Sequence, residues 1–207
     1  MKRLTLLLLI LTASACHAND VLRAARSFSD GGHYNNKWTG SGTPEAVIHD
    51  GQVVLPTSEG GTYCCGFTFC VAAKVARDRG LLEGLPFDAV KRFQKDWYGA
   101  AGGEDETLVV LAVERLGIGT RVELEDAEPG DFVQLWRTKS GHSVIFLEWI
   151  EEAGERIGFR YRSSQGSTDG IGDTVEYFSD SLDSEGEPRG HVDRRRTYVA
   201  RLNPAVN

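Results

Sequence analysis

The sequence predicts an α+β fold, with helices in the first half and an antiparallel sheet in the second. Apolar residues recur at helical spacing between residues 65 and 116, and after Pro129 the pattern changes to short segments rich in aromatic and β-branched residues. A length of 207 residues, of which 41% are hydrophobic, is typical of one globular domain. The net charge of −7 argues against general nucleic-acid binding, which requires a basic surface.

The first 18 residues predict an export signal that is not part of the fold. Two basic residues precede the apolar run Leu4–Leu11, which is much shorter than the roughly 20 residues that span a bilayer. Cleavage after Ala15 would expose Cys16 in a setting that resembles a bacterial lipoprotein box, and a lipid on Cys16 would tether the protein to a membrane. Cleavage after Ala18 would release a soluble protein. Both routes predict a location in the periplasm or cell envelope.

Residues 19–59 are predicted to form an extended arm that packs on a core domain of residues 60–207. The arm is rich in Gly, Asn and Ser and contains one strand, Gln52–Leu55. Glycines and prolines delimit three helices in the core domain. These helices are Cys65–Arg79, with Thr62 near its cap, Phe87–Trp97 and Glu106–Leu116.

The second half predicts four strands separated by polar turns. The strands are Phe132–Trp136, Ser143–Trp149, Ile157–Tyr161 and Tyr198–Leu202. Lys139-Ser140-Gly141 links the first two as a hairpin. Residues 166–172 are predicted as a glycine-rich turn, and the charged stretch Ser179–Arg196 as a solvated loop.

Three cysteines, Cys64, Cys65 and Cys70, remain after export, so at least one thiol stays unpaired in a monomer. Cys64 and Cys65 lie where a glycine-rich loop meets a helix start, and the helix dipole there lowers a thiol pKa. Periodicity does not choose between them, whereas Cys70 lies deeper in the helix and is expected in the core. The spacing of cysteines and histidines gives no zinc pattern.

A thiolate nucleophile needs a base, usually histidine, and a third group that orients the imidazole. His142 is the best candidate base, because it begins a strand directly after Ser140-Gly141. Gln165, or more weakly Ser164, follows the next strand and is the candidate third group. The remaining mature histidines are expected at the surface: His33, His49 and His191.

Together these segments resemble the NlpC-type cell-wall peptidases, a papain-like cysteine peptidase family related to the CHAP amidases. Tyr63-Cys64-Cys65-Gly66-Phe67 is similar to the family's Asp-Cys-Ser-Gly-Phe box. Gly130-Asp131-Phe132-Val133 and Gly141-His142-Ser143-Val144 resemble its Gly-Asp strand entry and its Gly-His strand. The resemblance covers residues 60–172, about half of the chain. Tyr63 and Cys65 depart from the family's Asp and Ser.

The resemblance implies a papain-like fold with the nucleophile at the start of the first core helix. It assigns Cys64 as nucleophile, His142 as base and Gln165 as the third polar residue, with no metal or organic cofactor. It also implies peptidoglycan stem peptides as the substrate. Two alternatives stay open: an acyltransferase or amidase acting on other substrates, and a non-catalytic exported binding module. In the latter, Cys64–Cys65 or Cys65–Cys70 would form a disulfide, against the geometry that disulfides prefer.

Overall fold

The computed structural model describes residues 20–100 and 105–206. The predicted signal, including Cys16, lies outside the described residues, so both processing routes stay predictions. Four segments of the described part are α-helical: residues 20–26 (α1), Cys64–Asp78 (α2), Phe87–Trp97 (α3) and Val109–Leu116 (α4). Its strands are Gly31–Gly32 (β1), Val47–His49 (β2), Gln52–Leu55 (β3), Gly119–Val122 (β4), Phe132–Arg137 (β5), Gly141–Glu152 (β6), Glu155–Gln165 (β7), Gly170–Tyr177 (β8) and Val192–Leu202 (β9).

Seven of these strands form one antiparallel sheet in the order β1-β8-β7-β6-β5-β9-β4, while β2 and β3 pair separately. Strands β5 to β8 follow one another as neighbours, and β9 returns to lie between β5 and β4. The predicted α+β class, with a large antiparallel sheet late in the chain, is confirmed at this level.

The predicted bounds are closest where proline or hydrophobic periodicity delimits an element, as in α3 and β3, which match the prediction residue for residue. The predictions are wrong in glycine-rich and charged segments. Strand β8 begins at Gly170, inside the predicted turn, and β9 begins at Val192, inside the predicted loop. Strand β4 has no counterpart in the prediction, and α1 lies in the predicted extended arm. The residues of β4, β8 and the start of β9 form hydrogen bonds with neighbouring strands. The amino-acid composition of a segment does not show which strand will lie beside it.

The sheet buries apolar side chains on both faces, as the two-residue period of a strand allows. Phe132 and Ile145 pack with the helices. Their chain neighbours Val133 and Val144 point to the opposite face and belong to a second apolar cluster around Phe159. Helix α2 contacts β6 and β7, and α4 contacts β4 and β9. This packing brings the start of α2 beside the start of β6.

Buried arginines hold the residues before β1 against the sheet and helices. The Arg162 side chain on β7 is 3% exposed. Its partners are two backbone carbonyls and two carboxylates: Ala25, Phe28, Asp30 and Asp173. Arg79, at the end of α2, donates to both carboxylate oxygens of Asp20. Each buried guanidinium is therefore matched by fixed acceptors, as a charge in the interior requires.

Candidate active site

Helix α2 begins at Cys64, one residue earlier than predicted. Tyr63 is the N-cap residue, with an extended backbone and no side-chain hydrogen bond to the helix. Thr62, predicted to serve near the cap, instead contacts Ser164 on β7, with the two Oγ atoms 2.8 Å apart. Because no side chain caps α2, the positive end of its dipole acts directly on the groups beside it.

Residues 40–42 of the arm pack tightly on this helix start. The Tyr63 N–H donates to the Gly42 carbonyl at 3.3 Å, and the Tyr63 hydroxyl donates to the Gly40 carbonyl at 2.8 Å. A Cβ atom on Gly66 would lie 2.3 Å from the Gly42 carbonyl oxygen. Only glycine therefore allows this close approach of the arm to the helix.

Cys64 and His142 meet where α2 and β6 begin, and they expose only 4% and 5% of their surfaces. The pKa of the Cys64 thiol is held well below its ordinary value, chiefly by a hydrogen bond from the Cys65 thiol. Burial opposes this effect, while the charge of His142, a hydrogen bond to His142 and the backbone N–H of Ser143 add to it. The surroundings of Cys64 thus favour the thiolate, the reactive form of cysteine.

Cys65 has the opposite character. Its hydrogen bond to Cys64, together with burial, raises the pKa of the Cys65 thiol well above the ordinary value. Of the two cysteines that periodicity left undecided, these opposite pKa directions favour Cys64 as the thiolate and Cys65 as the neutral thiol beside it. All three described cysteines are free thiols. Cys70 is 1% exposed in the core, and burial raises its pKa to about 12.

Gln165 lies at the end of β7, but its amide is bound to the following turn. The Nε2 atom donates to Thr168 Oγ1 at 2.5 Å and to the Gly172 carbonyl at 3.3 Å. Gln165 Oε1 and His142 Nε2 are both buried, and neither has a hydrogen-bond partner. Ser164, the weaker candidate, is engaged by Thr62. The predicted contact between Gln165 and His142 is thus not made, and two unmatched polar atoms stand in its place.

Residues on β5, β7 and β8 that were not predicted from the sequence complete the surroundings of the pair. The Tyr161 ring meets the His142 ring edge to face, with centroids 5.5 Å apart. The Tyr161 hydroxyl donates to Glu176 at 3.3 Å, and Glu176 also pairs with Arg137. Arg137 is near enough to interact electrostatically with the Cys64 thiolate. These residues come together only through the register of the sheet, so no local sequence motif predicts them.

The other histidines divide between surface and interior. His33 is exposed and its Nδ1 lies 3.1 Å from Asp169 Oδ1, and His191 is also exposed, as predicted. The surface prediction is wrong for His49, which is 7% exposed in β2. His49 Nε2 donates to the Leu85 carbonyl at 2.7 Å, so this buried imidazole ties β2 to the loop before α3.

In the described part of the chain, no cluster of three or more His, Cys, Asp or Glu side chains could hold a metal ion. No helix among residues 20–100 and 105–206 is long and apolar enough to cross a membrane. Comparisons of the chain with protein-family models, with curated proteins and with solved structures found no match.

Proposed function

We propose that this protein is an exported cysteine hydrolase with a papain-like core, and that it cleaves amide bonds through Cys64 and His142. The observation that carries the proposal is the environment of Cys64: a helix start without a side-chain cap, a thiol donor on one side and an imidazole on the other. A buried structural cysteine needs none of these, as the raised pKa of Cys70 illustrates.

In the proposed reaction the Cys64 thiolate attacks the amide carbonyl carbon and forms a carbon–sulfur bond. A backbone N–H at the start of α2, such as that of Cys64, stabilises the oxyanion. The His142 imidazolium gives its proton to the leaving amine as the carbon–nitrogen bond breaks. His142 then accepts a proton from water, which attacks the thioester, releases the carboxylic acid and restores the thiolate. Gln165 aligns the imidazole ring during these transfers.

The substrate we propose is the stem peptide of peptidoglycan. This rests on the resemblance of residues 60–172 to NlpC-type peptidases and on the predicted export signal in the first 18 residues, both of which are expected of a peptidase that acts in the cell envelope. An acyltransferase would use the same thioester but transfer the acyl group to an amine instead of water. The products of the reaction separate these two activities.

The test is digestion of purified peptidoglycan by the protein, with product masses measured by mass spectrometry. Cys64→Ala is compared with Cys70→Ala, a matched control that removes a thiol remote from His142. We expect wild type and Cys70→Ala to release stem-peptide fragments with water added across one amide bond, and Cys64→Ala to release none. Fragments joined to an added amine would establish the acyltransferase instead. Equal digestion by Cys64→Ala would contradict the proposal, and binding without turnover by wild type would indicate a binding module.

A further inference from the structure

The turn after β7 fixes the orientation of the Gln165 side-chain amide. The Thr168 hydroxyl donates its single proton to a backbone carbonyl, that of Gly170 at 2.6 Å. Its oxygen is then free only to accept, so the atom of Gln165 that lies 2.5 Å away must be the amide nitrogen. The Gly172 carbonyl is also an acceptor, so the Gln165 atom that lies 3.3 Å from it must likewise be the amide nitrogen. With its nitrogen held by two acceptors, the amide directs its oxygen away from the turn.

That oxygen and the ring of His142 present complementary unmatched atoms. Gln165 Oε1 is an acceptor without a donor, and His142 Nε2 carries a proton without an acceptor once the ring is an imidazolium. The ladder between β6 and β7 ends at the pair Ile145–Arg162, and His142 and Gln165 each lie three residues beyond that pair on their strands. Because side chains alternate between the two faces along a strand, His142 and Gln165 project from the same face of the sheet.

We propose that Thr168 is a positioning residue, which holds the Gln165 amide so that its oxygen accepts the Nε2 proton of the His142 imidazolium. The inference rests on the proposed function, because only a reacting Cys64–His142 pair makes use of a charged ring. The hydrogen bond belongs to the thiolate–imidazolium state, because the proton on Nε2 and the charge of the ring are then both present, and this state forms in the protein without substrate. Gln165 touches His142 in this arrangement, and Thr168 acts through Gln165.

Two contacts of the turn after β7 restrain the position of Thr168. A Cβ atom on Gly172 would lie 2.8 Å from the Thr168 side chain, so glycine alone fits beside it. The next residue, Asp169, has a left-handed backbone with φ of 45° and accepts the Tyr34 N–H at 3.2 Å. Such strain persists where surrounding contacts hold it, and here the arm supplies the contact. The arm thereby helps to fix the turn that orients Gln165.

The experiment measures the rate of Cys64 alkylation by iodoacetamide against pH in four proteins: wild type, Thr168→Val, Thr168→Ser and Ser167→Ala. Thr168→Val keeps the shape but removes the hydroxyl, Thr168→Ser keeps the hydroxyl, and Ser167→Ala alters an exposed neighbour. We expect Thr168→Val to lose about tenfold in rate at about pH 6 relative to its own plateau at about pH 9. Thr168→Ser and Ser167→Ala should keep the wild-type profile. A merely structural defect would lower the whole curve without changing its shape.

Gln165→Leu tests the same bond from the other side and should reproduce the Thr168→Val profile, with no further loss in the double variant. A wild-type profile in Thr168→Val, or in Gln165→Leu, would overturn the inference and leave the proposed function standing. If wild type itself shows no reactivity that depends on His142, the proposed function fails first, and the inference with it.

Discussion

Cys65 is the side chain whose removal should change Cys64 most, because its thiol is the largest influence lowering the Cys64 pKa. Cys65→Ala deletes that donor and leaves His142 and the backbone N–H of Ser143 in place. A hydrogen bond to a charged, buried acceptor contributes about 2 kcal/mol. A loss of that size lowers the thiolate fraction by up to about thirtyfold, and the full factor applies once the pH falls below the wild-type midpoint.

The assay is iodoacetamide alkylation of Cys64 between about pH 5 and 9, with each rate normalised to the plateau of the same protein. We expect the midpoint of Cys65→Ala to move to higher pH, because loss of the donor raises the Cys64 pKa. Cys65→Ser is the matched control, since a hydroxyl donates as a thiol does, and its midpoint should stay near that of wild type. An unchanged midpoint in Cys65→Ala, or equal shifts in both variants, would refute the assignment of Cys65 as donor.

Three further predictions concern the framework around the site. Arg162→Met should lower the free energy of unfolding by about 1–3 kcal/mol in urea titration, because it leaves the Ala25 and Phe28 carbonyls without the donor that satisfies them; no change beyond that of the exposed control Arg160→Met would contradict this. Gly66→Ala should destabilise the protein strongly, since its Cβ would meet a backbone carbonyl at 2.3 Å, whereas Gly60→Ala has room and should not. Cys70, with its pKa raised to about 12 by burial, should resist iodoacetamide at about pH 9 in the native state and react only after unfolding; labelling of native Cys70 would show that the core is open there.

Local patterns predicted the features that local physics decides. Pro86 is the N-cap residue that starts α3, and the glycine-rich approach to Cys64 marked the start of α2 within one residue. The thiol at that helix start was identifiable for the same reason, because the helix dipole is a local property. The segments rich in aromatic and β-branched residues, separated by polar turns, likewise located the central strands of the sheet.

Long-range pairing decided the rest. Strand β8 contains glycines that read as a turn, yet its hydrogen bonds to β7 make it a strand. The surface prediction for His49 failed for a similar reason, since its imidazole donates to a carbonyl that lies 36 positions away in the chain. The partner of Gln165 depends on how the turn after β7 folds back, and Thr168 gave no signal in the sequence. The residues that surround Cys64 and His142 therefore depend on the register of the sheet, which the sequence does not show directly.

The most direct test of the thiolate–imidazole pair is to locate the alkylated cysteine by peptide mass spectrometry, in wild type and in His142→Ala, from about pH 5 to 9. We predict that Cys64 alone is labelled well below pH 8 in wild type, because its lowered pKa leaves it ionised there. Without His142, the Cys64 curve should move to higher pH, since the imidazolium charge favours the thiolate. Labelling of Cys64 that is independent of His142, or no labelling of any cysteine until the protein is denatured, would contradict the proposed mechanism.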